Sequence, residues 1–158
     1  MKKLSLIFIS LVILIFSNCS RSKDPLPEEV YQLSLVKTIS GREAKDYINK
    51  LHFQPVTENE NLIGHYENAS GNAVVYVTLY KNEIDAKNDF IKMTQKISPE
   101  NSVFIYPQFF DHKGNKIYKC FGMGMTHYVF VIDKKLYWIS VDTHFAKNFF
   151  NEFYNLVQ

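Results

Sequence analysis

The chain is poor in the residues that usually announce a chemistry. It holds two cysteines, Cys19 and Cys120, with six glycines, five prolines and one tryptophan in 158 residues. It has no Walker loop, no dinucleotide glycine fingerprint after a strand and no Gly-x-Ser-x-Gly elbow, so the motif-marked nucleotide-binding and hydrolase classes lose their usual support. Charge of one sign is also missing. The formal net charge of +2 sits entirely in Lys2 and Lys3, and the remainder balances. A neutral domain has no electrostatic reason to seek nucleic acid or an anionic membrane surface. Long apolar runs are absent too: the stretch from Leu4 to Phe16 falls short of the about 20 residues that span a bilayer.

What is present begins at the first residue. Met1-Lys2-Lys3 precedes that apolar stretch, which exits through Phe16-Ser17-Asn18-Cys19. A basic start, a short apolar core and a small-residue exit are the marks of a secretory signal. Ending the exit on cysteine resembles the lipobox of bacterial lipoproteins, in a relaxed, spirochaete-like form with Phe16 and Asn18 at the variable places. An ordinary secreted protein or a membrane anchor are the alternatives. The resemblance implies removal of residues 1–18 and attachment of diacylglycerol and an N-acyl chain to Cys19, with no other cofactor. Several chains on one residue tether a domain firmly, whereas a single chain holds only marginally. Ser20, in place of an aspartate, implies the outer membrane where the organism has one. With Cys19 acylated, Cys120 has no thiol to pair with, and the domain must hold together by its core. The 13 phenylalanines and 10 tyrosines provide material for that, each burying some 150–250 Å².

Residues 19–30, proline-bearing and mostly polar, read as the lipidated cysteine and a flexible spacer, leaving 31–158 as one domain. Helices are expected where apolar residues recur at 3.6-residue spacing. The first follows Ser40-Gly41-Arg42-Glu43, a capping box, and carries Ala44, Tyr47, Ile48 and Leu51 on one stripe. The second starts at Asn82 and Asp85, buries Ala86, Phe90, Met93 and Ile97, and ends at Ser98-Pro99. The third is capped by Asp142 or Thr143 and buries Ala146, Phe149, Phe150, Phe153 and Val157. Between them lie β-branched and aromatic segments. Ala73–Tyr80 reads as a central strand, Val103–Phe110 as an edge or bulged strand because of Pro107, and Ile117–Phe121, Tyr128–Ile132 and Leu136–Val141 as hairpin strands. With short strands near Val36–Ile39 and Leu62–Glu67, the order is β-α-β-β-α-β-β-β-β-α. That predicts an α+β domain: a mostly antiparallel, curved sheet with helices packed on one face. The layout is similar to that of small bacterial lipoproteins of unassigned function.

Three groups of residues are candidates for function. Met123, Met125 and His127 alternate along a strand and would share a side; two thioethers and an imidazole suit Cu(I). Gly122 and Gly124 predict a bulge or tight turn there, and packing is the competing role for the methionines. Cys120 with His127 is the enzymatic alternative, a thiol activated by a neighbouring base, although their parity would point them apart. His52, His65, His112 and His144 show no metal-ligand spacing with other residues. Last, Tyr76, Tyr80, Tyr128 and Trp138 belong to an aromatic surplus on both faces of the strands. An open face of that kind would form an interaction patch; a curled sheet would bury it. The expected function is therefore a membrane-tethered, non-catalytic binding domain of the cell envelope. Its partners would be the bilayer, through the acyl anchor, and an envelope protein or apolar ligand, with no nucleic acid.

Overall fold

A computed structural model describes residues 23–52, 58–97 and 103–158. The elements are β1 (Glu29–Val30), β2 (Leu33–Ser40), α1 (Gly41–His52), β3 (Glu60–Asn68), β4 (Gly71–Leu79), α2 (Glu83–Lys96), β5 (Ile105–His112), β6 (Asn115–Gly122), β7 (Met125–Ile132), β8 (Lys135–Asp142) and α3 (Ala146–Val157). The strands form one antiparallel sheet in the order β1-β2-β3-β4-β8-β7-β6-β5. This is the expected α+β domain and the expected element order, with the two-residue β1 added.

β4 is central, as its two-sided apolar character requires. Ala73, Val75 and Val77 bury one side, while Val74 and Tyr76 pack on the other. β5 is an edge. Its register slips between Ile105 and Gln108, around Pro107 and a Tyr106 with φ of 53°. Proline has no amide hydrogen to give a ladder, and a bulge turns the edge away from further pairing. Two hairpins close through two-residue turns, Lys113-Gly114 and Met123-Gly124, with positive φ at both residues, the backbone that matches the right-handed twist of flanking strands.

The helices do not share a face, and here the structure corrects the sequence expectation. α3 covers the side bearing Tyr66, Val75, Tyr128, Phe130, Tyr137 and Ile139. α1 packs over Ile39 and Ile63 on the opposite side, and α2 lies on that same opposite side over Tyr118, Cys120, Val129, Val131 and Leu136. Alternation tells which residues oppose one another, but it does not tell which helix takes which side. The α3 stripe is buried throughout and adds Tyr154. α2 is capped as predicted: the Asn82 side chain accepts from the Asp85 amide at 2.9 Å and donates to its carboxylate at 2.7 Å. The Ser98-Pro99 stop lies outside the described residues.

Two further expectations are corrected. The cap of α3 is Phe145, with no side-chain bond, and not Asp142 or Thr143. Asp142 instead accepts from the backbone and side-chain nitrogens of Asn72, at 2.8 and 3.0 Å. Residues 26–30, expected in the spacer, also belong to the fold. Leu26 and Val30 are buried in the α3-side core, the Pro27 carbonyl accepts from Tyr66 Oη at 2.9 Å, and β1 pairs with β2. Leu26 finds its place because Gly64 lacks a side chain: a Cβ there would come within 2.9 Å of Leu26 Cδ2. Cys19 lies outside the described residues.

Candidate functional site

On the side shared by α1 and α2 the apolar residues form two separate clusters, one beneath each helix. In the seam between them the sheet residues are only partly covered. Tyr76 of β4 and Trp138 of β8 stand there as direct cross-strand partners, both half-buried. Tyr76 leans toward α1, its ring 6.4 Å from that of Tyr47. Burial, together with a hydrogen bond to the Tyr47 hydroxyl, pushes the Tyr76 phenol well above its ordinary range. Trp138 leans the other way, 5.5 Å from the Phe104 ring. Thr78 flanks the seam and donates to Asn61 Oδ1 at 2.8 Å. Tyr80 lies at the end of the same side, its hydroxyl donating to Asp89 of α2 at 3.0 Å.

Beneath Trp138 runs a chain of buried hydrogen bonds. The indole N–H donates to Ser140 Oγ at 3.1 Å, with His127 Nδ1 at 3.2 Å sharing the same proton. Ser140 Oγ donates to His127 Nδ1 at 2.9 Å, and His127 Nε2 lies 3.0 Å from the Gly122 carbonyl. A carbonyl only accepts, so Nε2 carries the imidazole proton and Nδ1 is the acceptor. The ring is 1% exposed, and burial lowers its pKa against a smaller raising contribution from the Gly122 carbonyl. Phe104 closes the pocket, edge-on to His127 at 4.9 Å, and rests on Gly122, where a Cβ would stand 2.6 Å from its ring.

A serine hydroxyl on an imidazole is the spacing of a nucleophile and its base. Here both are under cover, and both ring nitrogens of His127 are committed to the fold. The arrangement holds Trp138 and Phe104 in place and leaves the indole edge of the seam to meet solvent.

The three metal candidates occupy different places on the β6–β7 hairpin. Met123 sits at the tip of a two-residue turn, 72% exposed, outside the register that alternation assumes. Met125 pairs with Gly122 at the strand start, and His127 has no free nitrogen. Among the described residues, no group of three or more histidine, cysteine or acidic side chains could hold a metal ion. With both His127 nitrogens already engaged, the Cu(I) reading gains no support from this hairpin.

Cys120 is corrected in the opposite sense. It pairs directly with His127 across the Met123-Gly124 turn, so the two share a side instead of pointing apart. Its chemistry is wrong for a nucleophile, however. The thiol is fully buried among Ala86, Phe90, Tyr118 and Val129, and burial raises its pKa to about 11, only partly opposed by a hydrogen bond with Tyr118. Reactive cysteines need the reverse, a thiolate favoured near neutral pH.

Of the four aromatic candidates, Tyr76, Tyr80 and Trp138 share the α1/α2 side. Tyr128 does not. It is buried beneath α3, stacked 4.4 Å from Phe150, and burial raises its pKa to about 12. Ser140 is the residue that sequence reasoning passes over, although the turn at Asp133-Lys134 sets a register in which His127 and Ser140 are partners. Among the described residues, no helix is long and apolar enough to cross a membrane. The chain matches no family model, no curated protein and no solved structure.

Proposed function

We propose that this is a lipid-anchored protein of the cell envelope, tethered through Cys19, whose domain binds an apolar ligand or an envelope protein at the Tyr76–Trp138 seam. One observation carries the binding half of the reading: two large aromatic side chains are directly paired, half-exposed, between two helices that each cover their own core. Aromatic residues with one wet edge and a rigid base are favoured in recognition surfaces. The buried chain beneath Trp138 supports it further, because it fixes the indole before any ligand arrives. The anchoring half rests on the signal and cysteine at the N-terminus.

Two measurements test the reading separately. Mass spectrometry of the N-terminus of the protein made in an exporting bacterial host is expected to find Cys19 first, carrying acyl chains; an intact leader or a free cysteine contradicts the anchor. Trp138 is the chain's single tryptophan, so its emission reports the seam directly. Titration with a long-chain fatty acid is expected to shift that emission saturably in the parent chain, and not in Tyr76→Ala. An unsaturable response, or the same response in Tyr76→Ala, contradicts an apolar-ligand site.

A further inference from the structure

We infer that the end of the domain formed by the Lys113-Gly114 turn, the Asp133-Lys134 turn and the C-terminus of α3 rests on the lipid headgroup layer, with the Met123-Gly124 and Ala69-Ser70 turns directed away from it. This rests on Cys19 being the lipid-bearing residue, as proposed above. The sheet register defines the two ends. His112 pairs with Asn115, Ile132 with Lys135 and Leu79 with Lys135 at one; Gly122 pairs with Met125, Asn68 with Gly71 and Met125 with Asp142 at the other.

The N-terminal segment leaves the fold at the first of these ends. Lys23 Nζ donates to the Asn155 carbonyl near the end of α3, and Lys113 Nζ donates to the Asn155 side chain at 2.6 Å. Tyr154 joins the same corner, accepting from Asn115 at 2.5 Å. Only four peptide steps separate Cys19 from Lys23. Fully extended, they reach at most about 14 Å. Strands of eight residues such as β6 and β7 extend about 27 Å. A tether of that length fixed at one end excludes the inverted pose, in which the domain stands on the opposite end with the exit point about 27 Å from the bilayer.

Charge does not set this contact. Lys23, Lys113, Lys116, Lys134 and Lys135 share the end with Asp24, Glu60, Asp111 and Asp133, a mixed surface with little net pull on anionic lipid. The orientation is therefore a property of tether length. It should hold on zwitterionic lipid and at high salt, where electrostatic docking would fail.

The test uses the full chain, processed in an exporting host and reconstituted into phosphatidylcholine vesicles with a nitroxide on a fraction of the headgroups. A thiol-reactive fluorophore is placed in turn on Lys134→Cys, Met123→Cys and Ala69→Cys. Lipidation blocks the sulfur of Cys19, and Cys120 is buried, so one label per chain is expected. Loss of emission at position 134 with none at 123 or 69, unchanged between low and high salt, supports the inference. Vesicle-bound protein quenched equally at all three, or more strongly at 123, overturns it. Protein that stays off the vesicles and takes a second label at Cys19 overturns the anchor, and this inference with it.

Discussion

Ser140 and His127, thirteen residues apart in the chain, are joined by a buried hydrogen bond of 2.9 Å that links the aromatic surface to the floor beneath it. From Trp138 through Ser140 and His127 to the Gly122 carbonyl, every donor meets an acceptor. A chain of this kind is costly to interrupt, because each buried group left unpaired forfeits its hydration without return.

Ser140→Ala removes the hydroxyl that donates to His127 Nδ1 and accepts from Trp138. The indole N–H still reaches Nδ1, so the loss is partial. Stability is expected to fall by about 1–3 kcal/mol. Urea unfolding followed by circular dichroism measures it, and the Trp138 emission maximum should shift in the native baseline.

The same chain makes the fold sensitive to acid. His127 has a lowered pKa in the folded state, through burial, against an ordinary value of 6.5 in the unfolded chain. The unfolded chain therefore binds more protons below pH 6.5, and stability falls as pH drops from there toward the folded value. Above 6.5 the contribution is fully present. His65 acts in the same direction through desolvation, then Lys37, but it is half-exposed and more strongly screened. Urea midpoints between pH 7.5 and 5 should decline in the parent chain and decline less in His127→Gln.

Cys120 governs the alkaline side. Its thiol ionises near 9 when unfolded and near about 11 when folded. Stability is complete below 9 and is lost as pH rises through 11, by up to about 3 kcal/mol. Iodoacetamide at pH 8 should leave Cys120 unmodified in the folded protein and alkylate it promptly in urea. Rapid modification of the native protein would contradict the buried position.

Gly122→Ala tests the cover. Its Cβ would meet Phe104 at 2.6 Å and the Val103 carbonyl at 3.0 Å, so the ring that closes over His127 must move. A loss of about 1–3 kcal/mol is expected from such overpacking. Acrylamide should then quench Trp138 more strongly than in the parent chain. A variant as stable as the parent, with unchanged quenching, would contradict the packing described.

Local signals in the sequence carried much of this fold. Asn82 caps α2, Pro107 marks an edge strand, and the aromatic stripe of α3 is buried because each depends on chain neighbours. Features that depend on distant partners were not legible. Asp142 resembles a helix cap, yet Asn72, seventy residues away, claims its carboxylate. The proline-bearing start of the domain reads as spacer until Gly64 supplies a seat for Leu26. Strand alternation placed Cys120 and His127 apart because it counted through a turn; a hairpin reverses the chain and restores them to one side. Tyr76 and Trp138 were visible as aromatics, but their pairing and their half-exposure come only from the β4–β8 register and the gap between α1 and α2.

A photo-reactive phenylalanine analogue placed at position 76 in the living cell tests the proposed binding surface most directly, with the same analogue at Ile84, exposed on α2, as the comparison. Irradiation is expected to give one discrete adduct, to a single envelope component, from position 76 alone, and Trp138→Ala should abolish it. No adduct from position 76, or the same adducts from both positions, would contradict a binding seam between α1 and α2.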